Sequence, residues 1–174
     1  MPAFKITPVD STAAGDAFNG GFAVSIASGK DVTIVATGIM VDMALTAAEL
    51  LKAEGISARV VDMHTIKPLD GDIIKKAAEE TGAIVVTEEH NIIGGLGAAV
   101  AEYCSENCPV PVVRHGVNDE FGRSGKAPLA LKAFGLSPEV IAEKAKNIHI
   151  VGDASKVGNL RTVIWGAWDV CMKI

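Results

Sequence analysis

Cysteine and aromatic residues are scarce in this sequence. Cys104, Cys108 and Cys171 are its three cysteines, an odd and small number for 174 residues, and this excludes a disulfide framework. Cys104 and Cys108 stand four apart and can share one helix face, with His115 following, so a metal site is conceivable. No fourth ligand occurs at a usual spacing. The thiols therefore read as buried or half-buried side chains, and no metal is expected. No apolar run approaches the length of about 20 residues that a membrane-spanning helix requires. There is no basic stripe either: 16 Lys and Arg are scattered among 21 Asp and Glu, for a formal net charge of −5. That argues against nucleic acid and against an anionic membrane surface as partners. The start, Met1-Pro2-Ala3-Phe4-Lys5, has no charged region followed by an apolar stretch, so no signal peptide is expected and the cytoplasm is the expected location. No repeat or low-complexity segment is found.

What the sequence does hold is aliphatic. Residues counted as hydrophobic make up 49%, mostly Val, Ile, Ala and Leu. Val32 to Thr37, Ala58 to Met63, Ala83 to Glu88 and Val110 to Arg114 are short runs rich in β-branched residues and read as strands. The last holds Pro111 and follows Pro109, which places it near a sheet edge. Helical spacing runs from Met40 to Glu54, with Gly55 as the stop. Asp70 can cap a helix from Asp72 to Glu80, ended by Gly82. Gly94-Gly95-Leu96-Gly97 leads into a helix through about Ser105, and Ser137-Pro138-Glu139 opens another that reaches Lys146. This alternation predicts α/β architecture: three layers, with a mostly parallel sheet and helices on both faces. Before this middle piece, 31–148, lies a segment of residues 1–30. There Phe4 to Asp10 reads as extended, Ala13 to Asp16 as a tight turn, and Ala17 to Ser28 as a helix stopped by Gly29. After it, residues 149–174 read as a short strand and an amphipathic helix bearing Trp165 and Trp168, which pack on this chain's own core or on a partner.

Four ordered stretches of the middle piece resemble the C-terminal domain of transketolases. They are Asp31 to Gly38; Val61 to Asp70; Glu88-Glu89-His90-Asn91 with the Gly94–Gly97 turn; and Asp119 to Gly125, with its Phe-Gly-x-Ser-Gly pattern. The resemblance implies a structural domain that contributes to a homodimer. It also implies that thiamine diphosphate and Mg belong to other domains, one with a Gly-Asp-Gly motif and one with a glutamate that activates the cofactor. Gly71-Asp72-Ile73 and Gly152-Asp153-Ala154 lack the third glycine, so no cofactor is expected in this chain. A companion transketolase subunit is an implied partner.

The first segment resembles something else. Asp10 to Phe22 is similar to the C-terminal signature of ribokinase-type sugar kinases. That resemblance implies an anion hole from the backbone N–H groups of Ala14, Gly15 and Asp16, with Asp16 as the base for a sugar hydroxyl. Without the sugar-binding sheet, Asp16 is a vestigial base and no catalytic residue is assigned. The joined pieces fit a natural gene of this form or a recombined, engineered or selected chimera.

Candidate sites follow. Ser124, Gly125 and Lys126 combine a hydroxyl, open backbone and a cation, and are anion-binding candidates together with Ala14, Gly15 and Asp16. Glu88, Glu89 and His90 follow the third strand, where open α/β sheets place ligands. They are candidates for acid–base work, for metal binding or, by the resemblance, for an interface; Trp165 and Trp168 are interface candidates because two tryptophans on one short helix pack against something. The expected function is a noncatalytic, self-associating transketolase-like module. The alternatives are an anion, sugar-phosphate or nucleotide binder built on the Ala14–Asp16 turn, or a folded chimera with no function.

Overall fold

A computed structural model describes residues 25–27, 29–122 and 124–148. Its centre is β2, Val32–Ala36, in which all five residues are buried. The run Val-Thr-Ile-Val-Ala has no polar alternation because both faces of the strand are covered. Ile34 packs into one core and Val35 into the other. The one polar side chain of the run is satisfied: the Thr33 hydroxyl lies 2.8 Å from that of Thr81.

The first crossover, α1 (Met40–Ala53), leads to β3 (Ala58–Asp62), which pairs parallel to β2 on one side. The second, α2 (Gly71–Thr81), carries the chain back to β4 (Ile84–Asn91), parallel to β2 on the other side. Asp70 caps α2 as its sequence predicts, with Oδ1 accepting the Ile73 N–H at 3.2 Å, and Gly82 ends the helix at φ 69°. The third crossover, α3 (Leu96–Asn107), leads to the edge strand β5 (Val112–Val117). A short helix, α4 (Ala127–Ala133), and α5 (Pro138–Lys146) complete the described chain.

The helices divide between the faces. Met40, Ala44, Ala47 and Leu51 of α1 pack with Ile141, Ala142 and Ala145 of α5 against one face. Ile74, Ala77 and Ala78 of α2 pack with Leu96, Val100 and Cys104 of α3 against the other. Each Val, Leu, Ile or Met side chain buried this way contributes about 1.5–3 kcal/mol, and each alanine methyl less. The three-layer α/β arrangement is the expected one.

One element corrects the sequence reading. Ser25–Ala27 lies within the segment predicted as helix, yet it forms β1, antiparallel to β3 at the sheet's far edge. An uncovered β3 would leave a row of unpaired backbone groups, and pairing that edge outweighs the weak helix preference of Ser and Ile. The rest of the predicted helix lies outside the described residues. The chain then turns into β2 at a tight contact: a Cβ on Gly29 would sit 2.0 Å from the carbonyl carbon of Ala58. The Lys30 and Asp31 N–H groups donate to the Ser57 carbonyl, and the Asp31 carboxylate accepts the Ser57 N–H at 2.7 Å.

Candidate functional site at the carboxyl ends of the strands

Because β3, β2, β4 and β5 are parallel, their carboxyl ends lie at one end of the sheet. β4 runs three residues beyond its predicted end at Glu88, and its register with β5 shifts between Thr87 and Asn91. The extension sets the three candidate residues into different surroundings. Glu88 is 2% exposed, whereas Glu89 and His90 are exposed.

The Glu88 carboxylate closes the N-terminus of α3. Its Oε2 accepts the Leu96 N–H and its Oε1 the Gly97 N–H, each at 2.8 Å. A carboxylate there satisfies two donors that a helix start leaves open, and it meets the positive end of the helix dipole. The glycines follow from this contact. A Cβ on Gly95 would lie 2.0 Å from Glu88 Oε2, and one on Gly97 would lie 2.9 Å from Arg114 Cγ. The Gly-rich turn is therefore shaped around an internal carboxylate and around close helix–strand packing. It does not fit a diphosphate, whose oxygens would meet the carboxylate at the same N–H groups. Among the described residues no group of three or more His, Cys, Asp or Glu could hold a metal ion.

A second buried contact joins β4, β5 and the turn after α4. The Thr87 hydroxyl lies 2.9 Å from His115 Nδ1, and His115 Nε2 lies 3.1 Å from the Gly135 carbonyl oxygen. A carbonyl only accepts, so Nε2 carries the proton, and in the neutral ring Nδ1 accepts from the hydroxyl. Both ring nitrogens are thus engaged away from Cys104 and Cys108. Cys104 is buried, and burial together with the adjacent Cys108 pushes its thiol up to about 12. Burial holds the His115 pKa below its ordinary value, against the Gly135 carbonyl, which favours the charged ring. The folded state therefore binds this proton less readily than the unfolded chain. The contribution is full above about pH 6.5 and is lost as the pH falls from there through the lowered folded value. The melting-temperature advantage of the wild type over His115→Asn is expected to shrink between pH 7.5 and pH 5, as scanning calorimetry would show. An advantage constant over that range contradicts this assignment.

Glu89 and His90 lie at the rim of a cavity of about 500 Å³. Val117, Leu131, Phe134 and Leu136 supply its apolar part, and Glu120 and Gly122 part of its wall. Asn91 fixes the rim: its side-chain amide donates to Asp119 Oδ1 at 3.0 Å, and its oxygen accepts the Ile93 N–H at 2.8 Å. At the end of β3, burial raises the Asp62 pKa against the attraction of His64, whose Nδ1 is buried without a hydrogen-bond partner.

Ser124, Gly125 and Lys126 form an exposed loop before α4, and a Cβ on Gly125 would meet nothing within 4 Å. Lys126 is the residue before α4, and no side chain caps that helix. Ala14, Gly15, Asp16, Trp165 and Trp168 lie outside the described residues. The cavity owes its outer wall to α4, which the sequence reading does not include. The signal available was Pro128 in the first turn of Ala-Pro-Leu-Ala-Leu-Lys-Ala, a usual helix start.

A doubly wound module whose glycine turn is filled by its own glutamate defines a class of α/β domain, and comparison with known families places it. The profile described as "Transketolase, C-terminal domain" matches residues 21–141, and the chain belongs to that family. The profile described as "pfkB family carbohydrate kinase" matches residues 1–37, in line with the resemblance of the first segment. Over 133 residues, 76% of this chain, the sequence is 47% identical to a 6-deoxy-6-sulfo-D-fructose transketolase subunit of Clostridium sp.. It is 51% identical over 120 residues, 68% of this chain, to a protein of Methanocaldococcus jannaschii named as a transketolase C-terminal section. It is 46% identical over 125 residues, 72% of this chain, to an apulose-4-phosphate transketolase subunit of Phocaeicola vulgatus. The matches span 41%, 37% and 40% of those relatives, about two fifths of their length. A solved structure described as "Split gene transketolase, inactive beta4 tetramer" superposes with a TM-score of 0.68 at 50% identity, covering 71% of this chain and 40% of that one. Among the described residues no helix is long and apolar enough to cross a membrane.

Proposed function

We propose that this chain is a noncatalytic, self-associating C-terminal module of the transketolase type. It works beside a companion transketolase subunit that carries thiamine diphosphate and magnesium, in the cytoplasm. The observation that carries the reading is the pairing of sequence and site. The relatives are named as subunits or a section of transketolases, and one is described as a tetramer. The helix start that a diphosphate would use is filled by Glu88. In this reading residues 31–148 are the module, residues 1–30 lend it β1, and 149–174 are an appended tail. Calorimetric titration with thiamine diphosphate and magnesium is expected to give no binding. Binding at micromolar strength refutes the reading.

The match of residues 1–37 to the carbohydrate kinases favours a second reading. Here a recombined chain keeps an anion, sugar-phosphate or nucleotide site at Ala14-Gly15-Asp16, or is a folded chimera with no activity. The site version requires a melting-temperature rise with nucleotide or sugar phosphate that Asp16→Asn alters, and no rise with either ligand removes it.

A further inference from the structure

Cys104 and Cys108 lie together at the end of α3. Cys104 is buried in the second core, and Cys108, half-buried, packs against the same cluster. The Cys108 N–H donates to the Cys104 carbonyl at 3.0 Å, which holds the two residues one helical turn apart. Their thiols share a hydrogen bond. Cα atoms four apart in an α-helix stand about 6.2 Å from each other, within the range of about 4.4–6.8 Å that a disulfide spans. Cys108 is also the residue at which α3 stops, with φ −155° and ψ 74°, so its side chain can turn without unwinding the helix interior.

The two sulfurs differ in access. Asn107 and Pro109, on either side of Cys108, are exposed, and a small molecule in solution can reach the outer sulfur. The inner one is closed off, and burial with the adjacent Cys108 keeps its thiol protonated. The pair is thus ordered: an outer sulfur that meets a reagent, and an inner one that meets its neighbour. In a reducing compartment a dithiol of this kind is open at rest and closes transiently.

We infer that Cys104 and Cys108 form a thiol–disulfide exchange site for small disulfides, and that exchange ends in a disulfide across the last turn of α3. This goes beyond the role proposed above and does not depend on it. The Cys108 thiolate attacks one sulfur of the small disulfide. A bond forms to Cys108, the old S–S bond breaks, and the displaced thiolate leaves with the electron pair and takes up a proton. Cys104 then gives its proton to water and attacks the Cys108 sulfur, expelling the second thiol. Two cysteines are oxidised to one disulfide, and one small disulfide is reduced to two thiols. Attack from a fixed neighbouring position offsets the scarcity of the Cys104 thiolate.

The test uses the full chain carrying Cys171→Ser, so that Cys104 and Cys108 are its only thiols. It is incubated with glutathione disulfide, quenched with acid and read by intact and peptide mass spectrometry. The expected product is a single chain short of two hydrogens, with the new bond mapped to Cys104 and Cys108, and dithiothreitol reverses it. With Cys104→Ala added, Cys108 is expected to keep one glutathionyl group. With Cys108→Ser instead, Cys104 is expected to stay unmodified, and circular dichroism verifies that each variant is folded. The equilibrium ratio of closed disulfide to Cys108 mixed disulfide is expected to be at least about tenfold higher in buffer than in urea, because the fold holds the sulfurs together. That ratio needs no variant of the pair, so it decides the matter even where Cys104→Ala unfolds the chain. A mixed disulfide on Cys108 that persists beside Cys104, a disulfide between two chains, no reaction, or a ratio no higher in buffer than in urea each overturns the site.

Discussion

Glu88→Ala is expected to lower the stability of the domain by about 3–5 kcal/mol, since two buried N–H groups lose their only acceptor and a cavity is left behind. The Leu96 and Gly97 N–H groups face a carboxylate that is 2% exposed, and α3 has no side-chain cap of its own because its N-cap residue is Gly95. Water does not replace the lost acceptor cheaply at a site this enclosed. The first turn of α3 also carries Leu96, which is fully buried in the second core, so fraying there loosens packing along β4 and β5. Against a typical domain stability of about 5–15 kcal/mol, the loss leaves the variant marginal. Glu88→Gln keeps one acceptor oxygen and is expected to fall between the two, with a loss of about 2 kcal/mol. Urea denaturation followed by circular dichroism measures both. A Glu88→Ala loss under about 1 kcal/mol, the scale of an ordinary surface change, contradicts the capping role.

Gly95→Ala is expected to cost about 3 kcal/mol, because the new methyl would occupy the place of Glu88 Oε2 and force the carboxylate out. The ideal Cβ comes within 2.0 Å of that oxygen and 2.7 Å of the carboxyl carbon. The same substitution made on top of Glu88→Ala is expected to cost little, since the obstructing group is gone. The double-mutant cycle therefore carries a coupling of about 2 kcal/mol, which simple additivity would not give. Additive losses would mean that Gly95 is held by something other than the glutamate.

Much of the fold is legible from local chemistry. The strand β2 is five buried residues because its sequence offers no polar face, and Asp70 and Gly82 bracket α2 by the two commonest helix-end devices. Apart from α4, whose local signal was Pro128, what the sequence reading missed depends on contacts distant in the chain. Ser25–Ala27 is a strand because β3 has an open edge, a fact about a segment more than thirty positions away. Glu88 reads as a candidate for interface or acid–base work from its neighbours Glu89 and His90, but its partners are the N–H groups across the glycine turn. His115 reads only as a possible companion to the cysteines, and its actual partners come from β4 and the turn after α4. Side-chain direction at the end of an irregular strand decides these roles, and spacing does not encode it.

The structure supports a simple division of labour. The interior of the carboxyl end is sealed by Glu88 and His115, which join strands to helices, and its exterior carries Glu89, His90, the cavity and Phe121. A module of this kind acts through its surface, so its state of association is the property that its proposed role depends on. The most direct measurement is the solution mass of the wild-type chain by light scattering at micromolar concentration. The account predicts a dimer or a higher multiple of the 18.0 kDa chain. A monomer that persists as the concentration is raised would contradict it.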